Sequence, residues 1–306
     1  MRNDRTREVL RLAQPRFALF APGLFFGLLS SLSAIALLAT SAWLITRASE
    51  HPPILFLNAA IVGVRAFALG RAAFRYTDRI VSHNAALRQL SGLRVGIYRR
   101  LIPLAPDGLG STGRGDLLTR LVNDVDELQN LPLRVVQPLV IAGLTGLLSV
   151  IGAAILLPAA GLILAVALVC AFLLSALTQS VLAARAERAI APLRGALTER
   201  LLEFVTNLDV FLAYGVLPER LEALEAADAR LRSASLRRTM GAGASTAILS
   251  LLSSAAVVGA LVVGVPALGG RLSGPALTVV ALIPLGVFEA IASAPLALGV
   301  WREVRS

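Results

Sequence analysis

Apolar residues fill long stretches of this chain, and charged residues are concentrated between them. Three stretches contain no charged side chain: Phe17–Thr46 with 30 residues, Val135–Ala184 with 50 and Thr239–Gly270 with 32. Because a helix needs about 20 apolar residues to cross the hydrocarbon core of a bilayer, these stretches predict one, two and one membrane spans. Two further apolar stretches, one around Arg65 and one around Glu289, predict one span each.

The pattern therefore predicts an all-α membrane protein with six transmembrane helices. We expect these near residues 17–45, 54–75, 135–157, 159–182, 242–265 and 275–300. Pro158 should divide the longest stretch, because proline lacks the amide hydrogen that continues a helix.

Two connections are about 60 residues long, and they are not typical of separate folded domains. Apolar and charged residues recur there at helical spacing, over 71–101 and 185–236, so we expect the transmembrane helices to continue into the cytoplasm. The result would be two long helical hairpins, which turn at breaks within 103–115 and 207–218.

The composition supports a membrane protein. Hydrophobic residues make up 56% of the 306 residues, charged residues only 16%, and the mean hydropathy is +0.76. A soluble domain has about 25% charged residues, which makes an ordinary soluble enzyme a poor explanation. The first apolar stretch exceeds the core of about 7–15 residues in a signal peptide, so we expect a retained helix. The lone Cys170 lies in an apolar stretch and is expected to pack there.

The positions of the arginines predict the orientation. All 29 basic residues are arginine, and the net charge is +10. The termini and the two long connections hold 26 of them, whereas the short connections hold only Arg47 and Arg271. The positive-inside rule then places both termini in the cytoplasm, and the basic balance reflects topology rather than nucleic-acid binding. Residues 1–16 would form a cytoplasmic or interfacial segment, with an amphipathic helix over 4–14 on the inner membrane surface.

This layout, together with one local motif, resembles the transmembrane domain of ATP-binding-cassette (ABC) exporters over residues 17–301. The motif is GDLLTRLVNDV at 115–125, which is similar to the first intracellular hairpin of that family. The resemblance implies two coupling regions that contact nucleotide-binding domains, near 111–117 and 203–215. The residues that the resemblance implies for this coupling are Ser111, Gly115, Asp116, Leu117, Arg120, Asp124, Asn207, Asp209 and Phe211.

Within that family, the chain is most similar to the CydC-type subunit of the thiol-reductant exporters. The similar segments are SAWLI at 41–45, GVRAFALGR at 63–71, RYTDRIVSH at 75–83 and RRLIPLAP at 99–106. The resemblance implies a heterodimer with a homologous subunit in the cytoplasmic membrane. That heterodimer would export glutathione or cysteine to the periplasmic side and support cytochrome bd assembly.

The family's ATPase domain is not contained in these residues. A Walker A loop needs a lysine, and the chain has none. The segment GSTGRG at 110–115 is better explained as a flexible break than as a phosphate loop. We expect ATP and Mg²⁺ to act only through a nucleotide-binding domain that would begin at the tail 302–306, so this chain would not hydrolyse ATP by itself.

Two ionisable residues are predicted near mid-membrane. Counted from Ile54 and Pro275, Arg65 and Glu289 lie about 16 and 21 Å along helices that enter from the outer side. A charge at the bilayer centre costs about 2.5–3.5 kcal/mol, so such residues usually face a partner or a watery cavity. They would line the substrate path, where Arg65 attracts an anionic thiol. The alternatives are a structural ion pair, or Arg65 extending to one surface.

Arg71, Arg75 and Arg79 are spaced four residues apart, and His83 continues the row. For Arg71 and Arg75 we favour a stripe that faces solvent and lipid phosphates. The family resemblance implies haem binding for His83 and Arg79, because imidazole can be an axial ligand and arginine can pair with a propionate. The alternative is an ordinary surface histidine. For His51, beside two prolines in an outer loop, we expect a structural role.

No side-chain pattern predicts a catalytic site. Asp124, Asp126 and Glu127 do not share a helical face and have no histidine or cysteine beside them, so we expect no metal site. Gly23 and Gly27 form a weak signal for close helix approach. Three alternatives to a thiol exporter stay open: a haem-binding cytochrome maturation factor, an exporter half with another substrate, and an ATP-independent carrier. The long hairpins argue against the last of these.

Overall fold

The computed structural model of the protein describes residues 17–102, 131–178, 184–292 and Ala297. These residues form helices joined by short turns. The helices are α1 (Phe17–Ser49), α2 (Asn58–Leu101), α3 (Gln137–Leu156), α4 (Pro158–Thr178), α5 (Ala184–Thr206), α6 (Leu208–Ala213), α7 (Leu217–Gly264) and α8 (Gly274–Ile291).

Six of the helices, α1 to α4, α7 and α8, are long and apolar enough to cross a membrane. The predicted all-α fold with six spans is therefore confirmed. Helix α2 runs on for 44 residues and α7 for 48, well beyond the length that a bilayer requires. Each has an apolar half and a charged half: α2 runs from the apolar half into the charged one, and α7 runs from the charged half into the apolar one.

Helix α2 begins later than expected. Ile54–Phe56 form a 3₁₀ turn, and the α-helix starts only at Asn58. The chain reaches this turn through His51, which has a left-handed φ of 56° and whose Nδ1 lies 2.8 Å from the Ser49 carbonyl. Pro52 and Pro53 then keep the backbone extended, since proline disfavours a helical residue before it.

Contacts divide the chain into two compact units: Cys170–Leu251 is one unit, and the remaining residues form the other. In the larger unit, α1 packs mainly on α2 and α8, and α8 also contacts α3. Gly23 and Gly27 lie where α1 approaches its neighbours most closely. A Cβ on Gly23 would overlap the Ser82 hydroxyl, and one on Gly27 would overlap the Ile141 side chain. The weak glycine signal therefore corresponds to a real close approach.

The corner between α3 and α4 lies where Pro158 predicted it. Leu157 has an extended backbone, with φ −150° and ψ 109°, and α4 starts directly at Pro158. Close packing follows at Gly161, where a Cβ would be 2.7 Å from the Ala154 Cα. Leu157 and Ala160 then join a buried apolar cluster with residues of α7 and α8. Its other members are Ala260, Leu272 and Val280.

The smaller unit contains an elbow between α5 and α7. Helix α5 ends at Thr206, the short helix α6 follows, and Gly215 turns the chain with a φ of 70°. Only a left-handed residue closes this turn, which suits glycine. The predicted break within 207–218 is confirmed. The first predicted break, the N-terminal amphipathic helix and the tail at 302–306 lie outside the described residues, as does the end of the sixth predicted span.

Candidate functional site

A row of arginines lies along α2, as the four-residue spacing predicts. Arg71, Arg75 and Arg79 line one open pocket of about 400 Å³ on the face of α2, here called the arginine cavity, together with Ala68, Ala72 and Tyr76 of the same helix. Small alanines on the same helix face leave room for the long guanidinium side chains. The row therefore presents three cations to a single open space rather than three isolated surface charges.

Arg71 forms an ion pair that ties α2 to α8. Its Nη2 lies 3.2 Å from Oε1 of Glu289, while the Ser30 hydroxyl of α1 donates to the Arg71 carbonyl at 3.1 Å. Three helices therefore meet at this residue. The pair corrects our interpretation of Arg71 as part of a stripe facing solvent and lipid phosphates, because its guanidinium group is directed to a carboxylate on another helix.

The pair also shows which arginine matches Glu289 in depth. From the first residues of α2 and α8, Arg71 and Glu289 lie about 20 and 22 Å along their helices. Arg65 lies only about 10 Å along, because α2 begins at Asn58. In this structure Glu289 pairs with Arg71, so the alternative of a structural pair between Arg65 and Glu289 is not formed. Arg65 is exposed and does not line the arginine cavity, and its role in a substrate path stays a prediction.

A second cavity of about 300 Å³ lies beside the first. Arg75 and Arg79 line both, and the second also contains the predicted haem residue His83. Leu133, Pro138 and Ile141 add apolar walls, and Asp78, Ser82 and Gln137 add polar ones. The structure thus brings His83 and Arg79 to one cavity, with the imidazole exposed to it.

A hydrogen-bonded cluster supports this second cavity. Asp78 Oδ1 accepts bonds from the Ser82 hydroxyl at 2.8 Å and from the Gln137 amide at 2.5 Å. The same amide lies 2.9 Å from the Ser82 hydroxyl. Ser82 and Gln137 are buried, so the cluster joins α2 to α3 where α1 passes over it at Gly23. No sequence signal indicated this cluster, because its members lie 59 residues apart.

The predicted coupling residues divide into two sets. Ser111, Gly115, Asp116, Leu117, Arg120 and Asp124 lie outside the described residues. Asn207 and Asp209 are at the start of α6, and the Asn207 amide donates to the Glu203 carbonyl at 3.0 Å. Phe211 is only 8% exposed, so its side chain packs on the inner side of α6 and is not available for contact with a nucleotide-binding domain.

Packing inside the elbow accounts for the burial of Phe211. Its ring lies 6.1 Å from that of Phe204, and the Arg220 guanidinium sits over it at 5.5 Å. Three other apolar residues of α6 are exposed: Leu208, Val210 and Leu212. Among the described residues, no group of three histidine, cysteine or carboxylate side chains could hold a metal ion.

Comparison with known proteins identifies the family. The ABC transporter transmembrane region matches residues 18–293. The glutathione/L-cysteine transport system ATP-binding/permease protein CydC of Escherichia coli (strain K12) is 31% identical over 281 residues, covering 88% of this chain and 48% of that protein. CydC of Haemophilus influenzae is 38% identical over 118 residues, 38% of this chain and 20% of that protein.

A CydD protein is also similar. The glutathione/L-cysteine transport system ATP-binding/permease protein CydD of Bacillus subtilis (strain 168) is 36% identical over 134 residues, which cover 44% of this chain and 23% of that protein. The chain spans about half the length of the E. coli relative and less of the other two. With its six apolar helices and a match over nearly its whole length, this multi-pass membrane protein belongs to the ABC transporter transmembrane family.

Proposed function

We propose that this chain is the membrane-spanning part of one subunit of an ATP-driven exporter of thiol reductants, glutathione or cysteine. A homologous subunit completes the substrate path as a heterodimer, and nucleotide-binding domains supply the energy. The complex lies in the cytoplasmic membrane, releases its substrate on the periplasmic side and supports cytochrome bd assembly.

The arginine cavity is the observation that carries the proposal. Glutathione is a tripeptide with two carboxylates and a net negative charge at neutral pH. Three guanidinium groups on one helix face, at Arg71, Arg75 and Arg79, suit carboxylates because each can donate two parallel hydrogen bonds. The similarity to CydC over 88% of the chain supports the same class of substrate.

Movement of the nucleotide-binding domains would be transmitted to the membrane helices through the elbow. Closure of the nucleotide-binding domains on ATP would press on the exposed apolar residues of α6. Phe211 and Arg220 would carry that displacement to α5 and α7, since they pack both helices against α6. Movement of the membrane helices would then open the arginine cavity alternately to the two sides of the membrane.

Transport into inside-out vesicles tests the proposal. The vesicles contain this chain together with its homologous subunit and the nucleotide-binding domains, and radiolabelled glutathione and cysteine are supplied outside. We expect ATP-dependent accumulation of at least one of them. The Arg75→Gln variant should lower the initial rate for glutathione about tenfold, the effect of losing a charge-assisted hydrogen bond. Zwitterionic cysteine should be less affected.

Arg271→Gln is the matched control, because it removes an arginine from an outer connection and should leave the rate unchanged. Arg65→Gln tests the predicted role of Arg65 in the same assay, and a selective loss for glutathione would support that role. ATP hydrolysis without accumulation of either thiol would contradict the proposed substrates.

We also propose that the second cavity binds haem, because His83 and two arginines line the same space. The donor set fits this group: imidazole is a common axial ligand, and Arg75 and Arg79 can pair with the propionates. Leu133, Pro138 and Ile141 provide the apolar contact that a porphyrin face needs. Bound haem would supply a redox-active iron, which suits a role in cytochrome maturation.

Absorbance titration tests haem binding. Saturable binding with a Soret shift is expected for the wild-type protein, and the His83→Ala variant should lose the shift. His51→Ala, which removes the other of the two histidines, should behave as the wild type. Identical titrations for wild type and His83→Ala would overturn the haem assignment and leave the transport proposal untouched.

A further inference from the structure

Glu289 is the acidic partner that the structure gives to the arginine row. Arg71 is paired with it, whereas Arg75 and Arg79 form no ion pair with any carboxylate among the described residues. Asp78 lies near both, but its Oδ1 already accepts bonds from Ser82 and Gln137. Three guanidinium groups therefore face two nearby carboxylates, Asp78 within the row and Glu289 on α8, and only Glu289 forms an ion pair with one of the arginines.

The Arg71–Glu289 pair is open rather than sealed in the core. The side chains of Arg71 and Glu289 are 34% and 72% exposed, and Arg71 also lines the arginine cavity. A dissolved anion in that cavity can therefore reach the same guanidinium group that Glu289 holds. The α2 backbone is fixed here by the bond from Ser30 to the Arg71 carbonyl, so the exchange requires movement of side chains alone.

We infer that Glu289 is an internal competitor of the anionic ligand: its carboxylate occupies Arg71 until a carboxylate of the ligand displaces it. The ligand class is a small organic anion with one or more carboxylates. This inference rests on the proposed function, in which the arginine cavity binds the substrate. It adds that Glu289 sets the affinity of the cavity for the anion. The displaced Glu289 side chain carries its negative charge away from the row.

Binding measurements on the purified protein in lipid nanodiscs test the inference, with glutathione and succinate as the two probes. Succinate has two carboxylates and no thiol. In Glu289→Gln the competitor is removed while the side-chain shape is kept, so both anions should bind about two- to fivefold more tightly, the range expected for loss of a partly exposed ion pair. Glu289→Asp keeps the charge and should stay close to the wild type.

Glu50→Gln is the matched control. Glu50 pairs with Arg47 at the far end of α1, so this substitution makes the same charge change away from the row and should leave both affinities unchanged. Arg71→Gln provides the second arm. In that background Glu289→Gln should no longer tighten binding, because the residue for which the two carboxylates compete has been removed.

The outcomes separate this inference from the proposed function. Unchanged or weaker binding of both probes in Glu289→Gln overturns the inference, whatever the transport assay gives. Tighter succinate binding without any glutathione binding supports the internal competitor and contradicts the thiol substrate. Equal tightening in the Arg71→Gln background would show that Glu289 acts through general charge, which also overturns the competition for Arg71.

Discussion

Asp78 illustrates how a single polar residue is accommodated on a largely apolar helix. Its carboxylate accepts hydrogen bonds from Ser82 one turn along α2 and from Gln137 on α3. In a low-dielectric environment an unsatisfied polar group is costly, so each partner contributes to the packing of these two helices. Gly23 lets α1 cover the cluster without a side chain in the way.

Gln137→Leu should therefore destabilise the protein by about 1 kcal/mol, the net value of a hydrogen bond between membrane helices. The substitution keeps most of the volume but leaves Asp78 with one donor fewer. Thermal unfolding in detergent measures the effect. Thr77→Val is the control, because the Thr77 hydroxyl donates only to the Ala73 carbonyl of its own helix. Equal unfolding midpoints for the two variants would contradict a supporting role for the cluster.

Residue roles could be predicted only where they depend on spacing along one helix. The row of Arg71, Arg75 and Arg79 is confirmed because a four-residue repeat fixes a shared face. The partner of Glu289 could not be identified, since it lies on another helix and depends on how α2 and α8 pack together.

At the scale of elements, the corner between α3 and α4 shows how two spans are joined without a loop. Leu157 alone leaves the helical conformation, and both helices close over Gly161. Because the obstructing atoms include the Ala154 backbone, a side chain at this position cannot be accommodated by rotating a neighbour.

Gly161→Ala should consequently destabilise the protein by about 1–3 kcal/mol, as overpacking does in a rigid core. Gly152→Ala is the matched control within α3, because a Cβ there meets no atom within 4 Å. Alanine favours a helix over glycine, so the control should be neutral or slightly stabilising. Thermal unfolding distinguishes the two, and an equally stable Gly161→Ala variant would show that the corner can open.

The elbow in the smaller unit leads to a second prediction at this scale. Phe211→Ala removes the ring that Phe204 and Arg220 contact, so the α5–α6–α7 connection should lose order locally. We expect backbone amides over 203–220 to exchange with solvent at least tenfold faster, as a loss of about 3 kcal/mol of buried contact allows. Tyr214→Ala, at an exposed position in the same elbow, should exchange as the wild type.

Amide exchange measured by mass spectrometry checks this outcome peptide by peptide. If the exchange in Phe211→Ala rises everywhere rather than over 203–220, then Phe211 contributes to global stability and the elbow is not a local unit. The family resemblance correctly indicated the place of the elbow. It did not indicate that Phe211 faces inwards, because resemblance identifies a segment and not the side of a helix.

For the whole molecule, the lengths of the apolar stretches and the positions of the charged residues together determine the architecture. Six stretches of sufficient apolar length predicted the six spans, and Pro158 predicted the division of the longest one. Contacts between helices distant in the chain, such as α8 against α1, could not be predicted, since small residues let several packings form at similar cost. The orientation in the membrane depends on the arginines alone.

The arginine distribution, 26 against two, predicts that both termini and the long connections are cytoplasmic. Cysteine labelling in intact spheroplasts tests this, starting from Cys170→Ser so that no native thiol reacts. A membrane-impermeant maleimide should label Arg271→Cys directly, because the arginine distribution predicts that the turn between α7 and α8 lies on the outer side. Ser233→Cys, exposed on the charged half of α7, should react only after the membrane is permeabilised.

Leu164→Cys provides the third arm, because this side chain is 1% exposed within α4 and should stay unlabelled in both conditions. The opposite pattern, with Ser233→Cys labelled in intact spheroplasts, would show that the protein has the opposite orientation and that the elbow lies outside the cell. The elbow could then not receive energy from a cytoplasmic ATPase. Orientation is therefore the property on which the proposed export and its coupling through Phe211 both depend.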